Sequence, residues 1–206
     1  PTTFEYDGNG NVVKKTDALG NVTTYTYDQF DNQLTETNAI GKTTNSTYDG
    51  LDNLLTQTDA LGNTTTYTYN GRRQVLTITD PKGATTTNTY DAKGNVTSTK
   101  DALNNTSSYT YNSQGLVLTQ TDAQNNVTTY QYSGSQPSAI TDAQGHVSSF
   151  TYDTNGNQLT QTVTRTSNGV TETITSPNTY DKLNRLIRVT SPDGSQTSTT
   201  YNAIGK

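Results

Sequence analysis

The fold of this chain is decided by a pattern that residues 59–83 show in full, namely DALGN-TTTYTY-NGRRQ-VLTIT-DPKG. Threonine and tyrosine alternate towards Tyr69, so that Tyr67 and Tyr69 fall on one face of an extended segment. Both residue types suit the pleated surface of a β-strand. The flanking Asp, Asn, Gly and Pro residues are typical of tight turns. The stretch therefore predicts two short β-strands with turns around them.

This pattern recurs along the chain with a period of 21 residues, which is measured most simply from its second tyrosine. Seven consecutive copies keep that spacing, and the next three follow at intervals of 20, 28 and 21 residues. Such a period is typical of repeat architectures, in which each unit buries its apolar face only against its neighbours. The predicted structural repeat tyrosines are Tyr6, Tyr27, Tyr48, Tyr69, Tyr90, Tyr111, Tyr132, Tyr152, Tyr180 and Tyr201.

Each repeat contains two predicted turns. The first follows the tyrosine, as in Asp91–Asn95, and the second follows the other strand, as in Asp59–Asn63. In both turns, a side-chain oxygen of the first residue is expected to accept hydrogen bonds from backbone N–H groups, and glycine supplies the positive φ that closes the turn. The predicted structural glycines of the second turn are Gly20, Gly41, Gly62, Gly83, Gly145 and Gly194.

Several repeats lack glycine where a turn needs it. Asp31, Asp52 and Arg73 stand at the glycine position of the first turn. A positive φ is costly for such side chains, so these turns are expected either to carry a modest strain or to adopt another conformation. Asn104 and Asn125 replace the glycine of the second turn, and asparagine visits this backbone region more readily.

Two strands per repeat predict an all-β protein, a repetitive antiparallel β-hairpin array with about 19 strands. We expect the array to coil into a spiral or shell-like sheet, because strand twist accumulates and open sheets rarely exceed about 10 strands. A β-solenoid is the alternative, although the tight turns favour hairpins. Residues 1–206 are expected to form a single continuous array, an excerpt of a longer protein, with flanking repeats of the same chain as its partners.

The pattern resembles the YD-repeat, or Rhs-repeat, family, most closely in Tyr180–Leu186 and in the Ser-Pro-Asp-Gly sequence of 191–194. The resemblance implies hairpin repeats that spiral into a hollow β-shell. Such a shell encloses a toxic C-terminal domain in bacterial toxins and forms part of an extracellular adhesion scaffold in teneurins. The implied function is a non-catalytic wall in a secreted or cell-surface bacterial protein, either a shell around a toxin domain or a fibre built of copies of itself. A surface adhesin or polysaccharide-binding scaffold that uses the tyrosine rows is the alternative.

Composition argues against several other classes of function. The chain has 28% hydrophobic residues, a formal net charge of −5 and no cysteine. Its charge gives no electrostatic footprint for nucleic acid, and no apolar run approaches the roughly 20 residues of a membrane-spanning helix. We therefore expect no nucleic acid partner, no membrane insertion and no cofactor. We also predict that the chain is not an enzyme, since His146, its single histidine, lies in a predicted turn with no marked nucleophile.

Two local features leave alternatives open. Asp7–Asn11 and Asp153–Asn157 echo the start of a calcium loop without its sixth-position glycine and bidentate glutamate, so an Asx-turn is the simpler interpretation and calcium the alternative. Residues 161–174 form an insertion around Asn168–Gly169, which is a strong type I′ hairpin signal. This hairpin is expected to extend past its neighbours, either as a partner contact or as a length variant at a loop tip.

Overall fold

The computed structural model describes residues 1–167, 170–191 and 193–202, except for the side chains of residues 165–167. All regular structure in these residues is β-strand, so the all-β prediction is confirmed. The chain divides into two compact units, Pro1–Thr106 and Ser107–Lys206. The predicted Asn168–Gly169 turn lies outside the described residues.

Unit 1 contains ten strands, most of them of five or six residues. Tyrosine closes every odd-numbered strand of the unit. The strands are β1 (Thr3–Tyr6), β2 (Val12–Thr16), β3 (Val22–Tyr27), β4 (Gln33–Thr37), β5 (Thr43–Tyr48), β6 (Leu54–Thr58), β7 (Thr64–Tyr69), β8 (Val75–Thr79), β9 (Thr85–Tyr90) and β10 (Val96–Lys100).

Unit 2 continues the same alternation, with two longer strands near its middle. The strands are β11 (Thr106–Tyr111), β12 (Val117–Thr121), β13 (Val127–Ser133), β14 (Gln136–Thr141), β15 (Val147–Tyr152), β16 (Gln158–Ser167), β17 (Val170–Tyr180), β18 (Leu186–Thr190) and β19 (Gln196–Ser198).

Within each unit, every strand pairs antiparallel with the strand that follows it in sequence. This is the hairpin array that the two turn sequences predict. The solenoid alternative is wrong for both units, because stacked coils would pair strands in parallel. The tight turns decide between the two folds, since parallel neighbours need long crossover connections.

We call the first turn of each repeat, which follows its tyrosine, the tyrosine turn. A hairpin closed by a tyrosine turn carries a one-residue bulge, whereas the other hairpins keep a continuous register. Between β5 and β6, Tyr48 pairs with Leu54 and Thr47 with Thr56, so Leu55 is the extra residue. A bulge of this kind bends the strand and disrupts the ladder locally. The extra residues are Val13, Leu34, Leu55, Leu76, Thr97, Leu118, Ser138, Leu159 and Ile187.

The threonines that alternate with tyrosine lie on the face of the sheet opposite to the tyrosines. Directly opposite threonines join their hydroxyls across strands, at 2.6 Å for Thr47 and Thr56 and 2.8 Å for Thr58 and Thr64. No residue in the described part of the chain is fully buried. The sheet is therefore a thin layer whose stability comes from many cross-strand pairs of about 0.2–1 kcal/mol each.

The two departures from the 21-residue period are both changes in hairpin length. After Tyr132, β13 extends to Ser133 and β14 begins at Gln136, so a shorter turn accounts for the single missing residue. The insertion lengthens β16 and β17, which pair up to Ser167 and Val170. β15 pairs with β16 only as far as Thr164, so the predicted extension past the neighbouring strand is confirmed.

Candidate functional site: tyrosines and stacked turns

The repeat tyrosines bind the backbone of the preceding repeat. The hydroxyl of Tyr69, for example, donates a hydrogen bond of 2.8 Å to the carbonyl oxygen of Leu54. Equivalent bonds join Tyr27 to Val12, Tyr48 to Gln33, Tyr90 to Val75, Tyr132 to Val117, Tyr180 to Gln158 and Tyr201 to Leu186, at 2.7–3.1 Å.

The acceptor is always the residue next to a bulge. Leu54 pairs with Tyr48 of its own hairpin and is followed by the extra residue Leu55. Because the bulge interrupts the ladder there, a carbonyl group becomes available to a side chain. The tyrosine of one repeat thus closes a gap that the preceding repeat leaves open. We call this contact the tyrosine rung.

Burial accompanies the rung. Removal from water raises the pKa of the Tyr27, Tyr69 and Tyr132 hydroxyls above the usual value for tyrosine, since the charged phenolate loses hydration. The phenol therefore stays protonated and acts as a donor at neutral pH. Tyr6 lies in the first repeat, has no preceding hairpin in the structure, and is 59% exposed.

Tyr152 differs from the repeat tyrosines that make a rung. It follows the shortened turn, and the residue that corresponds to Leu54 is Pro137, which pairs with Tyr132. Its hydroxyl makes no hydrogen bond to this carbonyl or to any other residue that the structure describes. Tyr152 therefore places its ring at a repeat tyrosine position but lacks the hydrogen bond that defines the tyrosine rung.

In turns that begin with aspartate, the carboxylate of that residue holds the turn. In the second-turn sequence, Oδ1 of Asp59 accepts hydrogen bonds from the backbone N–H groups of Leu61 and Asn63 at 2.8 and 2.9 Å. The Asn63 side chain donates to Oδ2 at 2.8 Å. Gly62 closes the turn with a φ of 86°. The predicted glycines at positions 20, 41, 83, 145 and 194 have the same conformation, with φ of 74–85°.

These hydrogen bonds change the acidity of the turn. The Asn63 side chain, followed by the backbone N–H of Asn63, holds the pKa of Asp59 below the usual 3.8 of aspartate. An asparagine four residues later is the largest cause of the lowered pKa at Asp17, Asp49, Asp91, Asp101, Asp122 and Asp153 as well. The turn therefore favours the charged carboxylate.

Adjacent tyrosine turns also contact each other through the position that lacks glycine. Asp31 has a φ of 66° and Asp52 a φ of 62°, so of the two expected outcomes these turns keep the left-handed conformation rather than adopt another turn. Oδ1 of Asp31 accepts hydrogen bonds from the Asn9 and Asn11 side chains of the preceding turn, at 2.9 and 2.6 Å. Asn32 donates to Asp52 in the same way at 2.9 Å. The contact between turns offsets the cost of the unusual φ.

Glycine at the same position supports a different contact. The longer Gln74 side chain donates to the carbonyl oxygen of Gly94 at 2.8 Å, and Gln136 donates to that of Gly156 at 2.9 Å. A Cβ atom at Gly94 would lie 2.9 Å from Nε2 of Gln74. Asparagine thus contacts a neighbouring turn whose left-handed residue carries a side chain, whereas glutamine contacts a neighbouring turn whose left-handed residue is glycine. Sequence reasoning treated these positions separately and missed the pairing.

The remaining candidate residues belong to turns as well. Nδ1 of His146 lies 2.8 Å from Oδ2 of Asp142, in the place that Asn63 takes beside Asp59. In the calcium-like sequence, Oδ1 of Asp7 accepts the backbone N–H groups of Asn9 and Asn11. No group of His, Cys, Asp or Glu side chains that could hold a metal ion occurs among the described residues.

One open groove of about 700 Å³ lies on the sheet of unit 1, lined in part by Leu76, Asn88 and Tyr90. Asn88 stands two residues before the rung tyrosine, where Tyr25 and Tyr67 stand in other repeats. Its amide is already engaged, since Nδ2 donates to the carbonyl of Val75 at 3.2 Å and Oδ1 accepts from Thr99 at 2.9 Å. The groove is therefore the space that is left where Asn88 replaces the tyrosine ring of other repeats.

The tyrosine rungs, the bulges and the paired turns define a Tyr-Asp repeat protein with a hairpin architecture. The family model for the teneurin YD-shell matches residues 42–168, and the model for the RHS repeat matches residues 6–43 and 180–206. The chain belongs to the YD-shell family of Rhs-type repeat proteins, as its resemblance predicts. A structural role as shell repeats follows from this membership.

Solved structures show the same fold. A complex named TcdB2-TccC3-TEV aligns with a TM-score of 0.80 at 15% identity, covering 100% of this chain and 12% of the other. TcdB2-TccC3 without its hypervariable C-terminal region aligns at 0.65 and 15% identity, covering 98% and 13%. A mutant Photorhabdus luminescens Tc holotoxin pore aligns at 0.58 and 15%, covering 92% and 13%. The chain thus spans about one eighth of these similar chains.

No curated protein sequence matches the chain. Among the described residues, no helix has the length and apolar character that would be needed to span a membrane.

Replacement of Tyr69 by phenylalanine tests the rung. The ring remains, while the hydrogen bond to Leu54 is lost, so the free energy of unfolding should fall by about 0.5–1.5 kcal/mol. Tyr152→Phe is the matched control, since its hydroxyl makes no rung, and it should change stability little. Urea denaturation of both variants measures the difference. Equal effects would show that the rung contributes nothing.

Replacement of Gly94 by alanine tests the contact between turns. Gly94 and Gly83 both have a positive φ, but a Cβ atom meets Gln74 at Gly94 and nothing within 4 Å at Gly83. Both variants carry the conformational cost of alanine at a positive φ, of about 1–2 kcal/mol, and Gly94→Ala should lose additional stability by displacing Gln74. Thermal or urea unfolding measures both. An equal loss for the two variants argues against a stabilising contact at Gln74.

Acid should destabilise the array through its turn carboxylates. A carboxyl whose pKa is lower in the folded state contributes its full stability above the unfolded value, here 3.8, and loses it as the pH falls through the folded pKa. We expect the urea midpoint to drop below about pH 4. Asp17→Asn, Asp59→Asn and Asp101→Asn combined should flatten this drop. Asn38 and Asn70 already hold such turns, so the variant should fold, and an unchanged pH profile would contradict the assignment.

Proposed function

We propose that residues 1–206 are a single continuous, non-catalytic wall segment of a secreted or cell-surface bacterial protein. The hydrogen bond from a rung tyrosine to a carbonyl of the preceding repeat carries this proposal, since in seven repeats it uses one side chain to join a repeat to the one before it. The carboxylates are likewise directed at turn N–H groups. A wall requires contacts of this type, and they account for the recurring polar residues of the repeat.

We propose further that the wall encloses a toxin domain of the same parent protein. Two observations support this choice over an open fibre. The chain belongs to the YD-shell family, and three Tc toxin structures share its fold with TM-scores of 0.58–0.80. At 15% sequence identity, the likeness to these structures supports the fold alone. Enclosure of a toxin domain therefore needs a direct experiment.

The polysaccharide-binding alternative finds less support in the geometry. It needs tyrosine rings and hydroxyls that are free to stack on sugars and bind them. The hydroxyls of the rung tyrosines instead donate to backbone carbonyls, and the rings are half-buried. The groove at Asn88 is lined by amides that already have protein partners.

Electron microscopy of the full-length parent protein, combined with limited proteolysis, tests enclosure. We expect a hollow particle with internal density. Protease should remove nothing from it unless acid or urea first opens the wall. A uniform fibre would contradict enclosure while leaving the wall role intact. Turnover of a substrate by the purified array would contradict the non-catalytic role.

A further inference from the structure

The second turns of unit 1 display aliphatic residues at their tips. Leu19, Ile40 and Leu61 hold the third position of three successive second turns and are 80–88% exposed. We call these three residues the apolar tips. Each of these turns follows an even-numbered strand, so the tips lie on one edge of the sheet of unit 1, the second-turn edge. Exposed apolar residues that are aligned in this way mark an interaction site, unlike those scattered singly.

The turn itself does not require an aliphatic residue at its tip. In unit 2, Gln124 holds the same position, and its backbone N–H donates to Oδ1 of Asp122 at 2.8 Å. The N–H of Leu61 donates to Oδ1 of Asp59 in the same way, also at 2.8 Å. The apolar side chain therefore contributes nothing to the turn that glutamine does not, and it is available for contact outside the fold.

The spacing of the tips favours lipid over protein as the partner. Each repeat supplies two strands, so successive tips are about 10 Å apart. A stable protein interface buries about 800 Å² per partner in one packed patch. Separate aliphatic side chains can instead enter a fluid lipid layer independently of one another. Composition agrees, because lysines flank the tips and lysine is depleted in protein interfaces.

The charges beside the tips nearly balance, which fits a zwitterionic lipid surface. Within two residues of the second turns of unit 1 lie four lysines and five acidic residues, namely Lys15, Lys42, Lys82, Lys100, Asp17, Glu36, Asp59, Asp80 and Asp101. Phosphocholine headgroups carry charges of both signs and can pair with either kind. The opposite edge differs, since Leu51 lies between Asp49 and Asp52 in a tyrosine turn. Insertion of Leu51 would bring the adjacent Asp52 carboxylate out of water, which is costly.

We propose that the apolar tips form a site that attaches unit 1 to the surface of a zwitterionic phospholipid bilayer. The three side chains enter the boundary between headgroups and acyl chains, and no segment needs to span the bilayer. Each fully buried aliphatic side chain contributes on the order of tenfold to partitioning, so three give about a thousandfold and the attachment is reversible. The site adds a function to the proposed wall and does not depend on enclosure of a toxin.

Sedimentation of the full chain with phosphatidylcholine vesicles tests the proposal. The full chain should bind, and Leu61→Gln should weaken binding about tenfold. Leu51→Gln is the matched control on the opposite edge and should leave binding unchanged. The triple variant Leu19→Gln, Ile40→Gln and Leu61→Gln should bind at least about 100-fold more weakly. It should fold, because Gln124 already occupies such a tip.

Several results would overturn the proposal. They are absence of vesicle binding by the full chain, undiminished binding by the triple variant, and binding that requires phosphatidylserine in the vesicles, which would indicate attraction by charge alone. Self-association of the full chain without vesicles, if the triple variant loses it, would identify a second copy as the occupant and would overturn the proposal as well.

Fluorescence can locate the contact, since the chain contains no tryptophan. Leu61→Trp should show a blue shift of its emission and quenching by brominated phosphatidylcholine when vesicles are added. Leu51→Trp should show neither change. Equal quenching of the two variants would contradict attachment through the second-turn edge.

Discussion

The hydrogen bond from a rung tyrosine to the carbonyl beside the preceding bulge is the interaction on which the rest of this structure depends. With no fully buried residue among those described, the sheet has no enclosed core to hold its hairpins in place. The bulge supplies an acceptor, and the next tyrosine supplies the donor. One such bond is worth only about 0.5–1.5 kcal/mol, so the array gains strength by repetition. A period of 21 residues is the sequence consequence, because each tyrosine must reach the same place in the hairpin before it.

The turns add a second link that depends on the same spacing. A carboxylate or amide oxygen of the first residue organises most turns internally, and asparagine or glutamine then reaches the next turn. Asp31 and Asp52 show why a non-glycine residue persists at a positive φ: the side chain that creates the strain also accepts the hydrogen bond that offsets it. At Gly94 the conformational problem disappears, and Gln74 contacts the backbone instead. Neighbouring turns therefore constrain each other's residues, which is expected of repeats that contact only their neighbours.

Most of the local structure could be predicted from the sequence, because it is set by short-range chemistry. Alternation around Tyr67 and Tyr69 indicated a strand, and Asp59 with Gly62 indicated the turn that the structure contains. The bulge at Leu55 could not be predicted, since an extra residue changes which carbonyl is available without altering the hydrophobic pattern. The acceptor of each rung was missed for the same reason. The repeat pattern itself predicted the fold class and the family resemblance added the shell role, whereas the contacts that hold the repeats together are visible only in the folded structure.

Hydroxyl exchange at individual tyrosines is the most direct measurement of the central claim. In a chain with isotope-labelled tyrosine, nuclear magnetic resonance can compare the hydroxyl protons of Tyr48 and Tyr69, which donate to carbonyls, with that of exposed Tyr6. The account predicts slow, separately observable hydroxyl protons at Tyr48 and Tyr69 and rapid exchange at Tyr6. Rapid exchange at all three in the folded protein would show that the hairpins are held together without the rungs.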